Sequence, residues 1–207
     1  MSEYFKLGVI GAGGHGKVVA DTALRCGWLE VVFFDGLAAE GPYSIGHWDV
    51  LDVPDNADNY DCDAFFVAIG NAQHRRSWCE WVLSKSLPLI SLVDPSAVIS
   101  PFAEIAEGAL VVAGSVINVD ARVGRGAIIN TRASLDHDCV IGDYSHVCPA
   151  AALGGEVMVG EGSWLGIGCQ VKQCIAIGSA VTVGAGATVV SDVQDGLTVV
   201  GTPARPQ

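Results

Sequence analysis

The stretch SLDHDCVIGDYSHVCPAAALGGEVMVG, Ser134 to Gly160, decides the fold. Its aliphatic residues Leu135, Ile141, Val147, Leu153 and Val159 stand six apart, and the phase continues unbroken in both directions. From Ile99 to Val189, sixteen consecutive positions of this register are Ile, Val or Leu. Two residues before each comes a small or apolar residue, mostly Ala, and a Gly often follows directly, as at 123–124, 141–142, 165–166, 177–178 and 183–184. A period of six matches neither the 3.6 of an amphipathic helix nor the 2 of an alternating strand. It matches a prism of short parallel strands, each six-residue unit making one strand and one corner. The aliphatic side chain fills the interior, the small one leaves room at the corner, and Gly is expected to supply the corner backbone. Three units close a coil, so residues 18 apart stack at about 4.8 Å. No insertion breaks the phase, and the tail DGLTVVGTPARPQ is expected to cap the open end.

Residues 4–94 follow another pattern. KLGVIGAGGHGKVVADTALRCG reads as a strand, a Gly-rich turn and a helix with Val18, Val19 and Ala23 on one side. LEVVFFDG is a second strand ending at Asp35, CDAFFVAIG a third, NAQHRRSWCEWVLSK a helix and LPLISLVD a fourth strand. Alternating strands and helices predict a parallel α/β sheet. The expected organisation is an α/β half-Rossmann-like domain over 1–94 and a parallel β-helix with its cap over 95–207. The turn Gly11-Ala12-Gly13-Gly14-His15-Gly16 satisfies GxGxxG, with Asp35 about twenty residues on. The segment is too short for the two halves of a full dinucleotide fold. A half-size version suits one nucleotide diphosphate, with the pyrophosphate near Gly13–His15 and the base or ribose near Asp35. The alternative is a tight strand–helix turn that binds nothing.

Composition narrows the partners. The net charge is −12 with no basic patch, which argues against nucleic acid. No run reaches the roughly 18 apolar residues of a membrane span, and MSEYFKLGVIG lacks the features of a secretory signal. Seven cysteines with no CxxC pair predict reduced thiols and a cytoplasmic location. Cys139 and Cys169 occupy small slots of the repeat and are expected to pack inward.

GAGGHGKVVAD, FFDG, AIGN, the hexapeptide run and the closing GTPAR together resemble bacterial sugar acetyltransferases of the sialic-acid O-acetyltransferase (NeuD) type. Within that group, NTRASLDHDCVIGDYSHVCPAA is most similar to the UDP-amino-sugar N-acetyltransferases of bacillosamine and protein-glycan synthesis. The resemblance spans essentially the whole chain. It implies a left-handed β-helix, a homotrimer, acetyl-CoA as co-substrate, a UDP-linked 4-amino-dideoxy sugar as acceptor, and no metal. It implies His137 as general base with Asp138 as its acid, and His146 as the contact to the thioester. Gly155, Ile167 and Ala185 would line the coenzyme groove. Gly13, Gly14, His15, Asp35, Gly70 and Asn130 would serve the substrate. The chain departs from the group's pattern at Asp138, where Glu is frequent, and at Gly36, where a second acid is frequent.

The chemistry suits these residue types. A neutral amine attacking a thioester must lose a proton, and a histidine with a pKa near ~6.5 accepts it at neutral pH. A neighbouring carboxylate fixes the tautomer, and either Asp136 or Asp138 could do so. Nine residues is half of an 18-residue coil, so His137 and His146 are expected on opposite sides of the prism. A site using both then lies between two subunits. His47 and His74 read as solvated, and Lys172 and Arg205 as possible contacts to coenzyme phosphates. Three rivals remain at this level. A γ-carbonic-anhydrase-like enzyme needs three zinc ligands where the helix offers two histidines. A sialic-acid-type O-acetyltransferase would use the same base, and a nucleotide-binding scaffold would use none.

Overall fold

A computed structural model describes residues 6–207 of the chain; residues 1–5, which the first expected domain includes, lie outside it. The chain divides into two compact units, Met1–Leu92 and Val93–Gln207.

In the first unit, strands β1 (Lys6–Ile10), β2 (Glu30–Phe34), β3 (Tyr43–Ile45), β4 (Trp48–Asp52) and β5 (Ala64–Val67) form one sheet in the order β3-β4-β2-β1-β5. All neighbours are parallel except the β3–β4 hairpin. Helices α1 (Gly14–Arg25) and α2 (Ala72–Ser84) complete the α/β pattern. The strands are continuous apolar runs because both faces are covered: Phe33, Phe34, Phe65 and Phe66 are all fully buried.

Three details differ from the sequence reading. The β3–β4 hairpin was not anticipated, since Gly41, Pro42 and Gly46 break its pattern into short pieces. The expected fourth strand, 87–94, supplies only a parallel bridge from Phe65 to Leu89 and the two-residue strand Leu92–Val93. On α1 the buried side is Gly16, Val19, Ala20 and Ala23, while Val18 is 37% exposed. The i, i+3, i+4, i+7 spacing selects the former set and turns Val18 away from it.

The second unit is the expected prism. Its first face stacks Leu110–Val111, Ile128–Ile129, His146–Val147, Trp164–Leu165 and Thr182–Val183. Its second stacks Val98–Ile99, Val116–Ile117, Ser134–Leu135, Ala152–Leu153, Gln170–Val171 and Thr188–Val189. Its third stacks Glu104–Ile105, Arg122–Val123, Val140–Ile141, Met158–Val159 and Ala176–Ile177. Every ladder among these joins residues 18 apart, as in Ser134 with Ala152 and His146 with Trp164. The second residue of each strand points inward and the first outward. The tail closes the first face: Thr198–Val200 pairs with Thr182–Val183, and Arg205–Pro206 folds back antiparallel on it.

The corner glycines require a correction. The positive-φ residues also recur every six positions, but three residues after the aliphatic one. Eight of them are not Gly, including Arg132, Asp138, Tyr144 and Glu156. The strain of about 1 kcal/mol each is offset by a hydrogen bond to the coil below, as from Asp138 N to Val119 O at 3.0 Å and Glu156 N to His137 O at 2.9 Å. The Gly that directly follows the aliphatic residue serves close stacking instead. A Cβ on Gly142 would stand 2.6 Å from Glu161 N.

The small slots hold polar atoms only when these are satisfied. Ser145 Oγ donates to Gly160 O at 2.8 Å, and Ser163 Oγ to Gly178 O at 2.7 Å. Cys139 points inward as expected, its Sγ donating to Gly154 O, and burial raises its thiol pKa. Cys169 is also buried, its pKa pushed to about 11 by burial. Neither is a thiolate nucleophile at neutral pH. Among the described residues, no helix is long and apolar enough to cross a membrane.

Candidate functional site

The Gly-rich turn of the first unit is assembled by its backbone. Gly11 takes φ +103 and donates to Phe34 O at 2.9 Å. Gly16 packs so closely that a Cβ would lie 2.5 Å from Gly11 O, which only glycine permits. Asp35, at the end of β2, ties the turn down: Oδ2 accepts from Ala12 N at 2.9 Å and Oδ1 from Leu37 N at 3.1 Å. The phenol of Tyr43 is raised in pKa, first by burial and then by this carboxylate. Asp35 thus holds the turn, in addition to bordering a cleft of about 350 Å³.

That cleft lies at the C-terminal ends of the strands, the usual ligand position of open α/β sheets. Ile10, Asp35, Val53, Asp55, Ile69 and Trp78 line it. Gly13, Gly14 and Gly70 are exposed, with open space where their side chains would be. His15, next in the turn, is half-buried, and its pKa is lowered to about 4, first by burial and then by the positive charge of Arg75. It is therefore a neutral imidazole at physiological pH. Arg75 is a residue that sequence reasoning missed. It is 1% exposed, and its Nη1 donates at 2.7 Å to the carbonyls of both Ile69 and Gly70, fixing the loop after β5. Its i, i+4, i+7 spacing with Cys79 and Val82 was the available signal. Asn71 caps α2 through His74 N at 3.0 Å, and His74 itself is exposed, as is His47.

In the prism, His137 stands on the corner between the second and third faces, exposed to solvent. Its Nδ1 lies 2.8 Å from Asp138 Oδ2. The neighbouring Asp136 is engaged elsewhere: its Oδ1 accepts from the His137 backbone N–H at 2.8 Å and from Asn118 Nδ2 at 2.9 Å. Asp138 is therefore the orienting acid, and its reach suffices although it is one methylene shorter than Glu. A carboxylate only accepts, so Nδ1 carries the proton and Nε2 holds the lone pair. The His137 pKa is raised, first by this hydrogen bond, with the charges of Asp136, Asp138 and Glu156 adding to it and desolvation opposing. Gly155 sits one coil further on, and a Cβ there would be 2.4 Å from His137 Nε2. The imidazole occupies the space that glycine leaves.

His146 projects from the first face, half-buried. Its Nε2 is 3.0 Å from Asn130 Nδ2. Ile167 and Ala185 are exposed on the corner between the first and second faces, stacked by the bond from Gly186 N to Ile167 O at 2.8 Å. Exposed Trp164 is the strand partner of His146. Lys172 lies two coils beyond Asp136 on the His137 corner, and Arg205 lies in the cap, where Nη1 donates to Ala204 O. One chain therefore brings His137, Asp138 and Gly155 together, and separately His146 and Asn130. The second face separates Gly155 from Ile167 and Ala185, and His137 and His146 lie on opposite sides of the prism. Among the described residues, no three His, Cys, Asp or Glu side chains are grouped so as to hold a metal ion.

A family profile, the PglD N-terminal domain, matches residues 6–82. The acetyltransferase domain of PglB from Neisseria gonorrhoeae FA1090, solved in complex with acetyl coenzyme A, is 38% identical. The alignment covers 98% of each chain with a TM-score of 0.93. PerB from Caulobacter crescentus, solved with CoA and GDP-perosamine, is 36% identical over 98% of this chain and 97% of its own, with a TM-score of 0.90. A histidine-to-asparagine mutant of the Caulobacter crescentus perosamine N-acetyltransferase, bound to the same two molecules, is 35% identical over 98% and 96%, with a TM-score of 0.89. An α/β unit with a Gly-rich turn, joined to a hexapeptide-repeat prism that carries a histidine–carboxylate pair, places this chain in the family of sugar acetyltransferases to which the PglB domain and PerB belong.

Proposed function

We propose that this chain transfers an acetyl group from acetyl-CoA to the amino group of a UDP-linked 4-amino-dideoxy sugar, in the cytoplasm. The carrying observation is the His137–Asp138 pair, which leaves a lone pair on Nε2 at an exposed corner above a glycine. The nucleotide occupies the cleft of the first unit, with the diphosphate at the amides of Gly13, Gly14 and His15 and the nucleoside beside Asp35 and Gly70. PerB, bound to CoA and GDP-perosamine, supports an amino sugar on a nucleotide as the acceptor class.

His137 receives the proton that the amine loses as the new C–N bond forms, and Asp138 stabilises the resulting imidazolium. The carbonyl electrons return to expel the coenzyme thiolate. His146 contacts the thioester, and Ile167 and Ala185 flank the coenzyme. Because His146 lies across the prism from His137, one site takes His137 and Gly155 from one subunit and His146, Ile167 and Ala185 from its neighbour in a homotrimer. Mixing inactive His137→Ala and His146→Ala subunits is then expected to restore about a quarter of wild-type activity, the random fraction of clefts holding both histidines. Mixtures no more active than either parent would exclude a shared site.

The function is tested with acetyl-CoA and a panel of UDP- and GDP-linked 4-amino-dideoxy sugars, following free thiol release. Turnover is expected with the UDP-linked members. Turnover confined to GDP-linked members would reassign the nucleotide. Acetylation only at the hydroxyl of a sialic-acid-like sugar would overturn the proposal.

A further inference from the structure

The two histidines of the prism differ in how their basic nitrogens are committed. At His137 the acid holds Nδ1, and Nε2 keeps its lone pair for a substrate. At His146 it is Nε2 that is engaged, by the carboxamide of Asn130 at 3.0 Å. A carboxamide can present either oxygen or nitrogen, so this contact alone leaves the direction open. The next residue closes it. The backbone N–H of Thr131, which can only donate, lies 2.8 Å from Asn130 Oδ1, and the Thr131 hydroxyl lies 3.3 Å from the same oxygen. Oδ1 is therefore held toward Thr131, and the Asn130 N–H points at the imidazole. His146 Nε2 must accept, so it carries a lone pair and no proton, and the single ring proton is on Nδ1. The register makes this contact part of the coil stacking: Ile128 is the strand partner of His146, and Asn130 begins the corner that follows Ile128 on the same face.

We propose that Asn130, set by Thr131, is a positioning residue that locks His146 as the neutral Nδ1–H tautomer and occupies its one basic nitrogen. His146 is then no second base. The proton lost by the amine goes to His137 alone, and His146 serves as a fixed, uncharged wall of the thioester site. This refines the role of Asn130, placed above with the substrate contacts. The tautomer stands on geometry alone, and only its kinetic consequence rests on the proposed function.

The test uses the full-length enzyme with ¹⁵N-labelled histidine. Long-range proton–nitrogen spectra near neutral pH report the tautomer, with the His146 signals identified by their loss in His146→Gln. A protonated Nδ1 and an unprotonated Nε2 are expected. A wild-type His146 protonated on Nε2, or on both nitrogens, overturns the proposal whether or not any variant folds. In Asn130→Asp a carboxylate can only accept, so the ring proton is expected to move to Nε2. With it, kcat is expected to fall about 10²-fold, with the KM for nucleotide sugar unchanged. An Nδ1–H tautomer retained in Asn130→Asp also overturns the lock. A moved proton with unchanged kcat would leave the lock standing and remove His146 from the reacting thioester, so the two readings fail separately.

Discussion

Replacing His137 by alanine is expected to lower kcat by about 10²–10⁴-fold, the usual contribution of a positioned general base. Nucleotide binding should be unchanged, since the cleft proposed to hold it is built by the Gly11–Gly16 turn, Asp35 and the loop that Arg75 secures. Stability should change little too, because the His137 side chain is exposed and its corner is held by backbone bonds such as Glu156 N to His137 O. A variant that kept wild-type turnover would remove His137 from the chemistry. The wild-type pH profile has a definite sign. The base acts only when neutral, and its pKa is raised above 6.5, chiefly by the hydrogen bond to Asp138. Activity therefore falls as pH drops through that raised value. In Asp138→Asn the main cause of the shift is gone, so the acid limb should move to lower pH while kcat drops. Asparagine tolerates the left-handed φ of 59 that Asp138 adopts, so the substitution tests the charge and not the backbone. An acid limb that stays in place, or moves upward, would contradict the pairing.

Gly155→Ala is the second large effect, and it requires no loss of a functional group. The new methyl would stand 2.4 Å from His137 Nε2 and 2.5 Å from Cε1. Something must move, and the imidazole is the free end of an exposed side chain, so it swings away. Gly155 does not have the left-handed φ of the corner residues, so alanine leaves the backbone in place. We expect kcat to fall by about 10²-fold, in line with misplaced catalytic groups, with stability altered by less than about 1 kcal/mol. Losing the Asp138 hydrogen bond should also bring the His137 pKa down, moving the acid limb to lower pH. A rise in the KM for acetyl-CoA alone, with the acid limb unmoved, would instead make Gly155 a wall of the coenzyme groove.

The candidate site was only partly legible before folding. His137 is flanked in sequence by Asp136 and Asp138, and the six-residue register puts all three on a corner without choosing between the two acids. Arg75 escaped because a buried guanidinium is chosen by what its helix face meets, and charge alone suggests solvent. Asp35 was identified as a ligand contact, yet its oxygens also hold the turn, a role that depends on the amides of Ala12 and Leu37 being folded toward it. The corner glycines misled for a related reason. Periodicity marks where Gly recurs but not which of two demands it meets, a positive φ or the close approach of the next coil.

By itself the amino-acid order determined the prism, its three faces and the 18-residue stacking, because an interior that admits one aliphatic residue per side records its geometry as a period. It determined the α/β unit as well, through apolar strands punctuated by glycine. Only the tertiary structure decided between Asp136 and Asp138, seated His137 above Gly155 and set Asn130 against His146. Those outcomes depend on where side-chain atoms meet across stacked coils, at distances of about 3 Å that no spacing along the chain encodes.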